Sequence, residues 1–305
     1  MSVAVLYIFL ALSSFGHSAL GKSSSNLVPN KSIAKYIFIV AVNGIIASIF
    51  FWILNGFKLN LNGGLLVYAL IHAIIIIVAR ISTLVAYRYL NVADVMILLC
   101  AGKMIMSSVT GVFLFDEKIT LIKVVKMILM IIAAAFICID ERVKHKKEDG
   151  GQAKKEKKAF GFGVVILMTV MILFYSAQLV LNKYYSASTY FTEEKSFCFA
   201  TNAAMFLICG IFTLFALLRS PDEIKDALPI LKPRALAIVS GDTVANALAT
   251  ILQLILLSRV DMSMFSPISN SLNIISSVLA SLLFREKLGI YSYIAVAVAC
   301  VAVII

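Results

Sequence analysis

Residues 140–159 read DERVKHKKEDGGQAKKEKKA. The stretch is charged, contains a glycine pair and has no Phe, Trp or Tyr, so it cannot bury a core of its own. Everything around it is the opposite. Hydrophobic residues make up 61% of the 305 and charged residues 14%, with mean hydropathy +0.99. Soluble domains average roughly 45–50% apolar and about 25% charged. The excess implies that most of the chain is solvated by lipid or by other spanning segments. Only helices and closed barrels satisfy their own backbone there. The apolar runs are long and continuous, without the alternation of a barrel strand, so helices are expected.

Ten such runs can be counted, at about 3–20, 33–54, 65–87, 91–114, 120–139, 160–182, 196–218, 234–257, 262–284 and 288–305. The first has no basic n-region, and no small-x-small cleavage site stands out before Lys22, so it reads as a retained helix. The charged stretch divides the chain into five helices over 1–139, a linker over 140–159 and five helices over 160–305.

Sliding the second half back by 169 residues brings Phe284-Arg285-Glu286-Lys287 onto Phe115-Asp116-Glu117-Lys118 and Ser276-Ser277-Val278 onto Ser107-Ser108-Val109. Ile274 falls on Ile105 and Leu283 on Leu114 in the same ungapped register. Matches of Leu, Ile and Ser come cheaply in apolar sequence, whereas Phe-x-Glu-Lys at a helix exit does not. A duplicated unit with five helices enters the membrane in opposite senses in its two copies. The expected fold is therefore an all-α integral membrane protein of ten transmembrane helices in two inverted five-helix repeats, an architecture of secondary transporters.

The chain resembles the drug/metabolite transporter superfamily, in particular its EamA-like family. The resemblance rests on the ten-helix plan, on the acidic exits Gly111-Val112-Phe113-Leu114-Phe115-Asp116-Glu117-Lys118 and Ala280-Ser281-Leu282-Leu283-Phe284-Arg285-Glu286-Lys287, and on the Ala/Val/Ile run from Tyr293 to Ile305. The fifth helix departs from the family pattern, carrying Lys123 and Lys126 and lacking the usual glycines. The resemblance implies transport of small metabolites with no shared substrate.

The formal net charge of +11 would suggest nucleic acid in a soluble chain. Here the basic residues sit mostly between apolar segments, where cytoplasmic loops and anionic headgroups account for them, and no nucleic-acid partner is expected. Connections after odd-numbered helices carry most of the Lys and Arg, which puts them on the cytoplasmic side; the family resemblance favours the reverse, and orientation stays open. The five cysteines lie in apolar runs without metal-like spacing, so neither a disulfide frame nor a metal is expected.

Ionisable groups inside a bilayer helix are costly, and each is a functional candidate. Arg80, Lys103 and Asp242 stand out. Asp242 can neutralise one cation and tie helices together; two cations against one anion leave a positive charge for a carboxylate or phosphate to meet. Polar residues at helical spacing extend the candidate substrate site: Ser107 after Lys103; Asn246 after Asp242; Asn270 and Asn273; Tyr175 and Gln178; and His17, which can carry a proton or be a satisfied core histidine. For any one Ser, Asn or Gln, helix packing is the plainer reading. Glu117 and Glu286 at helix exits read as interfacial anchors or gate pairs.

No phosphate-binding loop and no hydrolase motif occurs, so neither a cofactor nor an enzyme activity is expected. The functional expectation is a secondary transporter or exporter of small organic metabolites, working by alternating access, with an anionic group on the substrate. The alternative is a membrane-embedded enzyme or flippase acting on lipid-linked substrates. The expected partners are a small-molecule solute and the bilayer, with a homodimer compatible. The place is a multi-pass position in a membrane, the plasma membrane if the source is prokaryotic.

Overall fold

The computed structural model describes residues 2–27, 33–87, 89–115, 120–149, 162–188, 194–219, 227–260, 262–285 and 288–304. Among them are ten α-helices: α1 (Val3–Asn26), α2 (Ile33–Leu54), α3 (Gly63–Ala86), α4 (Val92–Phe115), α5 (Leu121–Asp149), α6 (Phe162–Ala187), α7 (Glu194–Arg219), α8 (Pro233–Leu257), α9 (Met262–Leu283) and α10 (Ile290–Ile304). A 3₁₀ turn, Leu228–Leu231, leads into α8, whose first residue is Pro233. Proline fits there because the first helical N–H has no intrahelical partner to lose.

Seven helices (α1–α4 and α6–α8) are long and apolar enough to cross a membrane. The other three carry shorter apolar stretches, Val124–Ile137, Ile268–Leu283 and Ile290–Ala302. The outer surface suits lipid: Phe113 and Leu121 are each 80% exposed and Leu218 83%. Such side chains in water would form an aggregation-prone surface. Trp52, near the end of α2, is also exposed, as an interfacial aromatic would be.

The expected spans match these helices closely, and the turn between α3 and α4 is as short as expected. Three helices run past their expected ends: α1 to Asn26, α6 to Ala187, and α5, which continues ten residues into the stretch read as linker. The sequence to Asp149 contains no Pro or Gly, and its Glu, Lys and Arg are strong helix formers. Residues 150–161 lie outside the described ones.

Helices pack in a regular scheme. α2 lies against α7, α4 against α9 and α5 against α10, while α1 packs on α8 and α9 and α3 packs on α6 and α7. Two lysines cap helix ends in matching ways. Lys22 near the end of α1 donates to the carbonyl of Tyr87, the C-cap of α3, at 2.7 Å. Lys183 near the end of α6 donates to the carbonyl of Leu257, at the end of α8, at 3.1 Å. A cation at a helix C-terminus meets unsatisfied carbonyls and the negative end of the dipole. α3 and α6 are antiparallel, with Thr83 beside Tyr175 and Tyr68 beside Tyr185. The two caps therefore lie at opposite ends of the bundle.

At Gly44 the backbones of α2 and α7 come close together. A Cβ there would lie 2.8 Å from the Phe206 backbone nitrogen and 3.0 Å from the Asn202 carbonyl oxygen. Backbone cannot rotate away as a side chain can, so Gly44→Ala is expected to push α2 off α7 and destabilise the protein by about 1–3 kcal/mol. Gly210 on α7 is the control, because nothing lies within 4 Å of a Cβ built there. Gly210→Ala should be neutral or stabilising by up to about 1 kcal/mol, from helix propensity. Thermal unfolding of the purified variants in detergent checks both.

Candidate functional site

The candidate site is a polar interior among five helices. α1 contributes Ser14, His17 and Ser18; α4 Lys103; α6 Tyr175 and Gln178; α8 Asn246, Thr250 and Gln253; and α9 Asn273. Together with Met96, Leu99 and Ala249 they enclose a cavity of about 80 Å³. Six of the residues named from sequence are thus brought together: His17, Lys103, Tyr175, Gln178, Asn246 and Asn273. Helical spacing explains how single helices supply several of them. On α8, Asn246, Thr250 and Gln253 succeed one another by four and three residues, one face of the helix.

Asp242 and Arg80 sit just beyond this cavity. His17 Nδ1 lies 2.7 Å from Asp242 Oδ1, and Arg80 Nη1 lies 3.7 Å from Asp242 Oδ2. The Arg80 and Asp242 side chains are 7% and 1% exposed. The carboxylate thus spends one oxygen on each neighbour and joins α1, α3 and α8. Arg80 also lines a second cavity of about 20 Å³ with His72, Thr201 and Asn202, and Asn246 and Thr250 face both cavities. Within that polar layer His72 Nε2 and Arg80 Nε have no hydrogen-bond partner among the described residues. A void of that size holds about one water molecule.

Lys103 has a different environment. Its ammonium lies 5.8 Å from the centroid of the Tyr175 ring, within cation–π range. Tyr175 is held in turn by a hydrogen bond of 3.2 Å between its hydroxyl and that of Thr83. Among the described residues no carboxylate lies within ion-pair distance of Lys103. The two-cation, one-anion arithmetic of the sequence therefore resolves in a definite way. Asp242 is taken by Arg80 and His17, and Lys103 is the cation that remains.

Ser107 and Asn270 lie elsewhere. The Ser107 and Ser266 hydroxyls are 2.9 Å apart, and Asn270 Nδ2 donates to Ser266 Oγ at 3.3 Å, all buried between α4 and α9. They serve that helix contact and do not line the cavity. Glu117 and Glu286 fall outside the described residues. Sequence reading also passed over a buried cluster in which Ser292 Oγ lies 2.9 Å from both Asp94 Oδ1 and Asp140 Oδ2. Asp94 is in the first turn of α4, and the Asp140 carboxylate fills the space a Cβ at Gly289 would need, beside the start of α10. Acidic groups at helix N-termini complement the dipole, the one signal by which these two could have been found.

Comparison with known proteins agrees with this architecture. Residues 162–305, covering α6 to α10, match the model of the EamA-like transporter family. No curated protein matches the chain by sequence. A solved structure, described only as the crystal structure of a protein, aligns over 99% of this chain and 94% of its own length, at 13% identity and a TM-score of 0.58. That likeness concerns the fold alone. The five helices of residues 162–305 thus belong to the EamA-like transporter family, within the drug/metabolite transporter superfamily, and the chain that carries them is an integral, multi-pass membrane protein.

Proposed function

We propose that the protein is a secondary transporter of small organic anions, working by alternating access between two five-helix repeats of opposite orientation. The observation that carries the anion reading is Lys103: a cation in a polar interior cavity, with no carboxylate partner among the described residues, while the neighbouring Arg80 and His17 both face Asp242. Around it Gln178, Asn246 and Asn273 offer amide donors and Ser14 a hydroxyl, which suits a carboxylate or phosphate oxygen. The solute is moved and released unchanged, so this is not an enzyme.

Several features support the inverted repeat. α2 and α7, α4 and α9, and α5 and α10 hold matching positions in the two halves and pack on one another. Lys183 follows Lys22 by 161 residues and Leu257 follows Tyr87 by 170, so one helix-capping contact occurs twice, once at each end of the bundle. A two-fold axis in the membrane plane produces that placement, and it puts the substrate site near the midplane.

The test is uptake by proteoliposomes of a panel of radiolabelled small anions and their neutral analogues, after a thermal-shift screen has ranked ligands that bind the folded state. Uptake of anions above neutral analogues is expected. Equal uptake of both would refute the anion site and leave transport standing; no uptake of any solute would refute transport.

A second reading has one observation in its favour. An apolar groove of about 490 Å³ runs between α3, α4 and α6, past Ile75, Met106, Phe174 and Tyr184, and its lining is of the chemistry an acyl chain meets. It shares no lining residue with the polar cavity, so a lipid-linked headgroup has no shared path between them. Fluorescent-lipid translocation in the same proteoliposomes distinguishes this flippase reading, which predicts transbilayer movement of the lipid.

A further inference from the structure

The contact between His17 and Asp242 has a feature that the anion site alone does not use. Asp242 accepts through Oδ1, so His17 donates its Nδ1 proton. Its Nε2 makes no hydrogen bond among the described residues, and the side chain lines the same cavity as Lys103. In this tautomer Nε2 carries the free lone pair, so the ring can accept a proton there.

The charges that face His17 can be counted element by element. α8 supplies Asp242, α3 supplies Arg80, α4 supplies Lys103 across the cavity, and α6 supplies the Tyr175 hydroxyl. From α9 the facing residues are uncharged, Asn273 in the cavity and Ser277 opposite Ser18. One turn on in α1, Lys22 is turned away onto the Tyr87 carbonyl. With neutral His17, Arg80 and Asp242 cancel and the cavity carries the single charge of Lys103. A proton on His17 raises it to two.

We propose that His17, held by Asp242, is a proton-binding site coupled to the anion site, so that a dianionic solute such as an organic phosphate binds together with one proton and the two travel in the same direction. This rests on the Lys103 anion reading. The coupling is electrostatic. A dianion beside Lys103 leaves one negative charge unmet, and a proton drawn from the bulk solution onto His17 Nε2 meets it. By linkage each ligand must raise the affinity for the other by the same factor.

Inorganic sulfate is the probe, because it remains a dianion from mildly acid to mildly alkaline pH. Its affinity for the purified full chain in detergent is expected to rise about tenfold between pH 8 and pH 5.5, within the usual range of site-to-site coupling. In weakly buffered solution near pH 7, binding should draw a proton from the medium, read with an indicator dye. His17→Gln should abolish both the proton uptake and the pH dependence. Nitrogen NMR of the unsubstituted protein gives the same answer without a variant at this site. The chain has three histidines; sulfate should raise the titration midpoint of one, and that signal should persist in His145→Gln.

Sulfate binding with no proton uptake, or with uptake that survives in His17→Gln, overturns the coupling and leaves the anion site intact. Absence of sulfate binding, or equal binding by Lys103→Gln, overturns the anion site and the coupling with it.

Discussion

Lys103→Gln is expected to lower the apparent affinity for a transported anion about 10- to 100-fold while leaving the protein monodisperse and normally folded. The ammonium has no carboxylate partner among the described residues, so its removal strands no buried charge among them. What disappears is a charge-assisted hydrogen bond to the solute, worth about 1.5–3 kcal/mol. At 1.4 kcal/mol per decade that is one to two orders of magnitude. Gln keeps part of the aliphatic stem and keeps a donor, so the loss reports on charge. Arginine is a poorer control, because its planar fork demands different room. The measurement is concentration-dependent uptake in proteoliposomes, with a neutral analogue in parallel. Unaltered anion uptake by Lys103→Gln would remove the cation from the mechanism.

Asp242→Asn is the substitution with the largest expected effect on stability. The amide can still accept from His17, so shape and one hydrogen bond persist. Arg80, whose side chain is 7% exposed, is left with a buried charge and no counter-ion. Breaking a buried pair on one side costs about 3–5 kcal/mol, whereas replacing both partners together is often nearly neutral. Asp242→Asn should therefore lower the thermal unfolding midpoint and the yield of folded protein, and adding Arg80→Met should restore most of the loss. The double-mutant cycle measures this coupling directly. If the double variant is as unstable as Asp242→Asn alone, an unpaired Arg80 is not the cause. Arg80→Ala becomes a folding lesion on this account, and its effect on uptake must be corrected for the amount of folded protein.

The helices were legible because lipid leaves a chain few options: long apolar runs must be helical and their charged ends must stop near the interface. The overrun of α5 past residue 139 was hidden for the same reason. Hydropathy marks where a helix leaves the apolar layer, but the helix itself ends only where propensity fails. Cavity residues were legible where a helix carries its polar groups on one face, as α8 does with Asn246, Thr250 and Gln253. They were less so on α9. Asn270 and Asn273 belong to one broad stripe, yet one meets α4 and the other the cavity, because the rotation of a helix against its neighbours is fixed by packing partners far away in sequence. The same distance hid the pairing of Arg80 with Asp242, since composition could count two cations and one anion without saying which cation would be left. Asp94 and Asp140 escaped because each lies where charged residues were expected at helix ends.

Lys103 stands midway along α4, and its lack of a counter-ion among the described residues gives the membrane voltage a handle on the cycle. A potential of 100 mV weighs on each elementary charge that crosses it by about 2.3 kcal/mol. With His17 neutral, the empty cavity would carry one positive charge, and a bound monoanion would cancel it. Voltage would then act on the return of the empty carrier and spare the loaded crossing. Solid-supported-membrane recordings would assign the charge-moving half of the cycle to the step without solute.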